Sequence, residues 1–384
     1  MVETKSDLAL YVHWPWCVRK CPYCDFNSYA APGVIPEERY IEALLADLAY
    51  AVRDIEYRQV HSVFFGGGTP SLMSTAGFDR LMNGITHIVD LEQNAEITME
   101  ANPGTVEAAR FSSYAAMGVN RFSIGVQSFD DLMLGRLGRI HTAQQAHQAI
   151  EAAQRVVDNI NIDVMFALPG QTMQMLTKDL ETAIASQTTH LSFYELTLEE
   201  GTAFAKRVPE GIPDTDRAAD MGEMVHEKLG EAGFDHYEIS GYAKPGRRCR
   251  HNLTYWTFGD YLGIGAGAHG KVTCSENVVR TVRVSNPRLY MQNAQAGVFE
   301  KARVSVQPED LPFEFMLNAL RLRDGVRASL FTETTGLPLA CIETTLSELR
   351  QEGLLTKDES RIRATELGRR FLSDVQERFL TVRI

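Results

Sequence analysis

The chain has 384 residues, 44% hydrophobic and 23% charged, values that suit a large globular domain beside a smaller one. A formal net charge of −12 argues against broad attraction to nucleic acid or anionic lipid. No apolar run is long enough to span a membrane, no signal peptide opens the sequence, and six cysteines, three of them clustered, suit a reducing compartment, so a cytoplasmic protein is expected.

The apolar run Leu8 to Trp14 predicts a first strand. Pro36 opens a helix in which Tyr40, Leu44, Leu45, Leu48 and Val52 recur at helical spacing. Ser62 to Phe65, closed by Gly66-Gly67-Gly68, reads as a buried parallel strand. A helix over 75–89, a third strand from Ala95 to Pro103, and a helix from Thr105 to Met117 follow, the last capped by Thr105 and stopped by Gly118. Arg121 to Gln127 is the fourth strand, Leu132 to Val157 a helix broken near Gly138, and Asn159 to Leu168 the fifth strand. A helix over 173–187 leads to a sixth strand, His190 to Thr197. Strands alternating with helices predict an α/β fold with a parallel sheet and right-handed crossovers. Six units rather than eight suggest a partial (β/α)6 barrel, with the chemistry at the C-terminal ends of the strands.

Asp214 to Glu231 predicts another helix, His236 to Tyr242 a strand, and Gly263 to Gly270 a glycine-dense loop. Helical patterns near 310–323, 327–336 and 338–352 precede two short strands around a turn, Leu354 to Ala364, and a helix after Thr365. That outline is a small winged-helix-like domain. Its acids slightly outnumber its bases, so it lacks the basic footprint of nucleic-acid binding. The expected division is a barrel over 1–235, an extension over 236–304 and the C-terminal domain over 305–384.

The densest chemistry is Cys17-Val-Arg-Lys-Cys21-Pro-Tyr-Cys24, directly after the first strand. Three thiols cannot pair among themselves, and soft thiolates select iron–sulfur clusters, zinc or copper(I). A closed zinc site wants four ligands, and no fourth cysteine or histidine stands at knuckle spacing. A [4Fe–4S] cubane held by three cysteines leaves one iron open to bind something else. Cys249, Cys274 and Cys341 have no metal spacing and read as small hydrophobes.

The spacing C-x3-C-x2-C, with Tyr23 before Cys24, resembles the signature of the radical S-adenosylmethionine (SAM) superfamily. The resemblance implies that Cys17, Cys21 and Cys24 hold the cluster and that SAM binds the open iron, which supplies an electron to cleave the sulfonium. It further implies SAM contacts from Tyr11, Tyr23, Gly67, Gly68, Thr69, Glu100, Gln127, Arg139 and Asp163. The glycines independently permit close backbone approach. His13 and His269 lie near the expected site, and the Gly263–Gly270 loop is expected to flank the adenine.

Tyr11-Val-His-Trp-Pro-Trp-Cys17, Gly-Gly-Gly-Thr-Pro70, Glu100-Ala-Asn-Pro and Gly125-Val-Gln-Ser-Phe129 are similar to the oxygen-independent coproporphyrinogen III oxidase group. That group contains a decarboxylating dehydrogenase and the haem chaperone family HemW. The dehydrogenase carries a fourth cysteine two residues after the third, where this chain has Phe26, and a longer N-terminal segment. His251-Asn-Leu-Thr-Tyr255-Trp256 matches the H-N-x-x-Y-W motif of HemW, implicating His251, Tyr255 and Trp256 in haem contact. Arg247, Arg248 and Arg250 are candidate partners for haem propionates. The resemblance implies haem b as cargo, delivery to client haemoproteins among membrane respiratory complexes, peripheral association with the inner face of the membrane, and a homodimer. The alternative it leaves open is coproporphyrinogen III dehydrogenation.

Overall fold

The computed structural model describes residues 8–274 and 277–380. Its centre is a mixed twelve-stranded sheet. Six strands run parallel in chain order: β1 (Leu8–Trp14), β2 (Val60–Gly67), β3 (Leu91–Ala101), β4 (Arg121–Gln127), β5 (Asn159–Phe166) and β6 (His190–Glu195). These six are the strands expected from the alternation of pattern. They are largely buried on both faces because helices cover one side and the barrel interior the other, the interior also enclosing polar residues such as Arg121, Ser123, Asn161 and Ser192.

The crossover helices include α1 (Glu37–Ala51), α2 (Thr75–Ile88), α3 (Ala143–Gln154) and α4 (Met173–Ala185). Their starts are fixed locally. Ser74 accepts from the Gly77 N–H, Thr142 and Gln145 cap each other reciprocally, and Thr172 accepts from the Met175 N–H. The expected Thr105 cap falls on a side chain outside those described. The Thr105–Met117 region forms two short pieces, Thr105–Ala108 and Phe111–Ala116, and Leu132–Val157 likewise divides into Asp131–Arg136 and α3.

Beyond β6, α5 (Thr215–Glu231) starts at Asp214, whose side chain accepts from the Arg217 N–H. The run His236 to Tyr242, expected to be one strand, is a tight hairpin of β7 (Asp235–His236) and β8 (Gly241–Ala243) at the β6 edge. The backbone turns at Glu238–Ser240, where the Glu238 carboxylate accepts from the Ser240 N–H and hydroxyl. After the short helix α6 (Arg250–Trp256), the chain crosses to the opposite edge of the sheet. There β9 (Asp260–Ile264) lies parallel to β1, and β10 (His269–Cys274), β11 (Asn277–Arg283) and β12 (Glu300–Ser305) continue antiparallel.

The expected glycine loop is therefore a strand, a four-residue turn and a strand. Its glycines serve close packing: a Cβ on Gly263 would stand 1.9 Å from the His269 carbonyl oxygen. Two buried ion-pair groups fix this edge. Lys271 and Arg58 pair with Asp260, while Arg283 pairs with Asp47 and Glu300. Both carboxylates at their centres collect further donors, including Thr273 for Asp260 and Tyr290 for Asp47, as buried charge requires.

In the C-terminal region α7 (Leu311–Ala319) comes first, then Val326–Arg327, which pairs with Arg361–Ile362, with α8 (Ser329–Thr335) and α9 (Glu343–Gln351) between the two. Thr365 caps the helix after Arg361–Ile362, as its position predicts. Phe315, Phe331, Leu346 and Ile362 form its core together with Tyr237 and Phe258 from the preceding region. The domain is therefore docked on the sheet through shared apolar packing rather than hung from a linker.

Candidate functional site

The cysteine loop leaves β1 through Trp16–Cys17, which pairs with Tyr29–Ala30, so both ends of the loop are tied together. Asn27 anchors its base. The Asn27 amide donates to the carbonyls of Ala266 (2.8 Å) and Ser285 (2.9 Å), and the Tyr29 hydroxyl donates to Asn27 Oδ1. His13 Nε2 donates to the Asn27 carbonyl at 3.0 Å, which leaves Nδ1 as an acceptor for the Tyr11 hydroxyl at 2.9 Å. Burial pushes the His13 imidazole down to about 4, so the ring is neutral and its tautomer is fixed by these partners.

The three thiols sit beside one polar chain. Arg139 Nη1 donates to Cys21 Sγ at 3.5 Å, and Arg139 Nη2 donates to Asn102 Oδ1 (2.5 Å) and the Gly125 carbonyl (2.7 Å). Asn102 Nδ2 donates to Thr69 Oγ1 at 2.7 Å, which orients the Thr69 proton towards Cys17. Burial raises the Cys17 thiol, and the Thr69 hydrogen bond partly offsets this. Cys24 Sγ lies 3.6 Å from the Ser28 hydroxyl. Among the described residues, no three His, Cys, Asp or Glu side chains converge on a point for a single ion. A cubane takes one thiolate per iron, so its ligands stand apart around it. A buried guanidinium against one thiolate and a hydroxyl against another suit an anionic cluster better than a zinc knuckle.

Beside this loop, at the C-terminal ends of the strands, opens a cleft of about 600 Å³. Tyr11, Gly67 and Glu100 line its barrel side, and Tyr255, Trp256 and Tyr261 its other wall. Gly67 has φ +110°, and a Cβ there would lie 2.5 Å from the His13 ring. A Cβ on Gly68 would lie 2.6 Å from the Trp16 carbonyl oxygen. The N–H groups of Gly67, Gly68 and Thr69 are all engaged, with Glu100, the Trp14 carbonyl and the Trp16 carbonyl. What this run offers a ligand is therefore acceptor oxygens, the chemistry an ammonium group needs.

Glu100 Oε2 accepts from the Gly67 N–H at 3.1 Å. Burial, with the neighbouring Asp163 carboxylate second, pushes Glu100 up to about 8. Asp163, on β5, accepts from Ser123 and Asn161 and is also raised by burial. A cationic ligand placed here would relieve both carboxylates. Gln127 closes β4 with φ +68°, and its amide packs over Gly125, 2.8 Å from where a Cβ there would be. Tyr23 turns away from the cleft to pack near Phe204, with its hydroxyl against Cys21 and Arg139.

Helix α6 carries the H-N-x-x-Y-W motif. Glu96 caps it by accepting from the N–H groups of Arg250 and His251, each at 3.1 Å. His251 is 1% exposed, with Nδ1 3.0 Å from the Ser62 hydroxyl and Nε2 2.7 Å from the Tyr255 hydroxyl. Burial holds the ring neutral, at about 3. His251 therefore supports Tyr255 from beneath, and its imidazole does not line the cleft. Tyr255 and Trp256 do line it, with the Arg321 guanidinium 4.1 Å from the Trp256 ring centroid. The expected propionate partners need correction for two residues. Arg248 pairs with Asp235 and Asp324, and Arg250 with Glu92, so neither is a free cation.

Sequence reasoning missed the positioning roles of Asn27 and Asn102. Asn102 stands inside the Glu100-Ala-Asn-Pro motif, but nothing in its spacing shows that it joins Arg139 to Thr69.

Residues 11–183 match the family model described as the radical SAM superfamily, and residues 306–371 match the HemN C-terminal domain. The heme chaperone HemW of Escherichia coli (strain K12) is 46% identical over 375 residues, 97% of this chain and 98% of that protein. The chain belongs to the HemW family. HemW of Haemophilus influenzae is 43% identical over 380 residues, covering 97% and 98% of the two chains. The mitochondrial radical S-adenosyl methionine domain-containing protein 1 of Bos taurus is 35% identical, covering 94% and 84%. Among solved structures, coproporphyrinogen III oxidase (HemN) of Escherichia coli superposes with a TM-score of 0.83 at 21% identity. It covers 98% of this chain and 91% of its own, and shows that the two share a fold. Membership of the radical SAM superfamily implies a [4Fe–4S] cluster and SAM. Among the described residues, no helix is long and apolar enough to cross a membrane.

Proposed function

We propose that this chain is a haem chaperone. Cys17, Cys21 and Cys24 would hold a [4Fe–4S] cluster whose open iron takes SAM, and haem b would be bound for delivery to client haemoproteins. When bound, the cluster and SAM supply one-electron chemistry. The protein's own part is to neutralise and orient. Arg139 and Thr69 stabilise thiolate charge, the Gly66–Gly68 run presents acceptors to the SAM ammonium, and Glu100 with Asp163 faces its cationic end. Tyr11 and Gln127 complete that shell, while Tyr23 supports Cys21 and Arg139 from the cluster side.

One observation carries the cargo reading. Tyr255 and Trp256 of the HemW motif stand across one cleft from Tyr11, Gly67 and Glu100, while exposed Phe26 occupies the position of the dehydrogenase's extra cysteine. Flat aromatic walls suit a macrocycle face. Clients among membrane respiratory complexes, association with the membrane's inner face and a homodimeric state belong to the same proposal. The test is transfer: cluster-loaded protein charged with haem is mixed with an apo-haemoprotein, and the acceptor's Soret band is followed. The reading expects faster filling than from the same concentration of free haem. Haem that stays with this chain, or never binds it, refutes the reading.

A further inference from the structure

Three histidines lie in or directly beneath the cleft, and two have no free ring nitrogen. His13 is held by Tyr11 and Asn27, and His251 by Ser62 and Tyr255. His269, the first residue of β10, lines the cleft and is exposed there. Its ring makes no hydrogen bond to any described residue. The backbone beneath it is fixed: Ala268 N–H donates to Gly265, and Arg283 N–H donates to the Ala268 carbonyl. Gly265 has φ +100°, and a Cβ there would lie 2.5 Å from the His13 carbonyl oxygen. A rigid base therefore presents an uncommitted imidazole to the same space as Tyr255, Trp256 and Tyr261.

Its surroundings suit an iron porphyrin. Burial, Arg280 and Lys301 all push His269 below its ordinary value, which keeps the imidazole in the neutral form that binds metal. Arg280 is engaged by Glu314 and Tyr261. Lys301, exposed on β12, forms no ion pair with any described residue, so its ammonium is open to a carboxylate. Phe26, 60% exposed, adds an aromatic face at the rim.

We propose that His269, rather than His251, supplies the axial ligand to the iron of a haem seated in this cleft, with Lys301 facing a propionate. The inference rests on the haem-carrier reading. In the ligation step an imidazole nitrogen lone pair binds ferric iron in place of a water or other weak axial ligand, with no redox change.

The test is a titration of ferric haem into cluster-loaded wild-type, His269→Gln, His269→Ala, His251→Phe and Lys301→Glu proteins, read by the Soret band and by EPR spin state. Because the His269 ring makes no hydrogen bond, its variants are expected to retain the iron–sulfur absorbance and far-UV dichroism of the wild type. The wild type should show a histidine-ligated spectrum. Both His269 variants should lose it and bind haem about tenfold more weakly or worse, a change of about 1.4 kcal/mol. Free imidazole should restore the spectrum in His269→Ala. His251→Phe should keep histidine ligation, and Lys301→Glu should weaken binding without changing the spectrum. An unchanged spectrum in the His269 variants overturns the assignment and leaves the carrier reading standing. Loss of ligation in His251→Phe alone also overturns it. A wild type that binds no haem overturns both.

Discussion

Glu100→Gln is the perturbation that the structure turns into a number. Glu100 is held at about 8 against an ordinary 4.5, by burial first and by Asp163 second. The folded-state value is the raised one, so the contribution of this group to stability is full below about 4.5 and is lost as pH rises to about 8. Between those values the unfolded chain has released a proton that the folded chain keeps. The gap corresponds to on the order of 5 kcal/mol once pH exceeds the folded value, and to about 3 kcal/mol at neutral pH. Glutamine keeps an oxygen for the Gly67 N–H and carries no charge to bury. The variant, without SAM, should therefore be more stable than the wild type by an amount that grows from pH 5 to pH 8 and then levels. Urea unfolding across that range, at constant ionic strength, measures the difference. A difference that does not vary with pH refutes the burial argument, and with it the claim that an empty site stores repulsion for a cation to relieve.

Three further substitutions probe the frame around the cluster. Cys21→Ala should abolish stable iron–sulfur absorbance after anaerobic reconstitution, because only two thiolates remain to hold the cluster. Asn27→Ala strands the buried Ala266 carbonyl and leaves the Ser285 carbonyl only the longer bond from the Tyr29 hydroxyl, at about 1–3 kcal/mol. It should lower the unfolding midpoint and speed iron loss to a chelator, and unchanged iron release would refute the anchoring role. Gly67→Ala meets both a left-handed backbone and the His13 ring at 2.5 Å. It should destabilise the fold by about 2 kcal/mol or more, measured by urea unfolding.

The barrel was legible because β1 to β6 are runs rich in apolar residues that alternate with amphipathic helices, a pattern that periodicity detects. The other edge was not. Asp260 to Ile264 opens on a buried aspartate and contains a glycine, so it lacks the profile of a parallel strand, yet Lys271 and Arg58 neutralise that aspartate. The glycines from 263 to 267 looked like a loop because composition cannot separate flexibility from close packing. His236 to Tyr242 looked like one strand because the turn at Glu238–Ser240 rests on a side-chain carboxylate rather than on glycine or proline.

The site divides in the same way. Cys17, Cys21, Cys24 and Gly67 follow from local spacing. The Cys21–Arg139–Asn102–Thr69–Cys17 chain joins segments more than a hundred residues apart in sequence, and no local pattern encodes it. His251 is a different case: a motif flags the residue, and only the fold shows that both its ring nitrogens are engaged, by Ser62 and Tyr255.

The most direct test offers anaerobically reconstituted, SAM-loaded protein both ferrous haem and coproporphyrinogen III. The account predicts that haem binds with a shifted Soret band and that no protoporphyrinogen IX accumulates. Turnover of coproporphyrinogen III with no retained haem would contradict it.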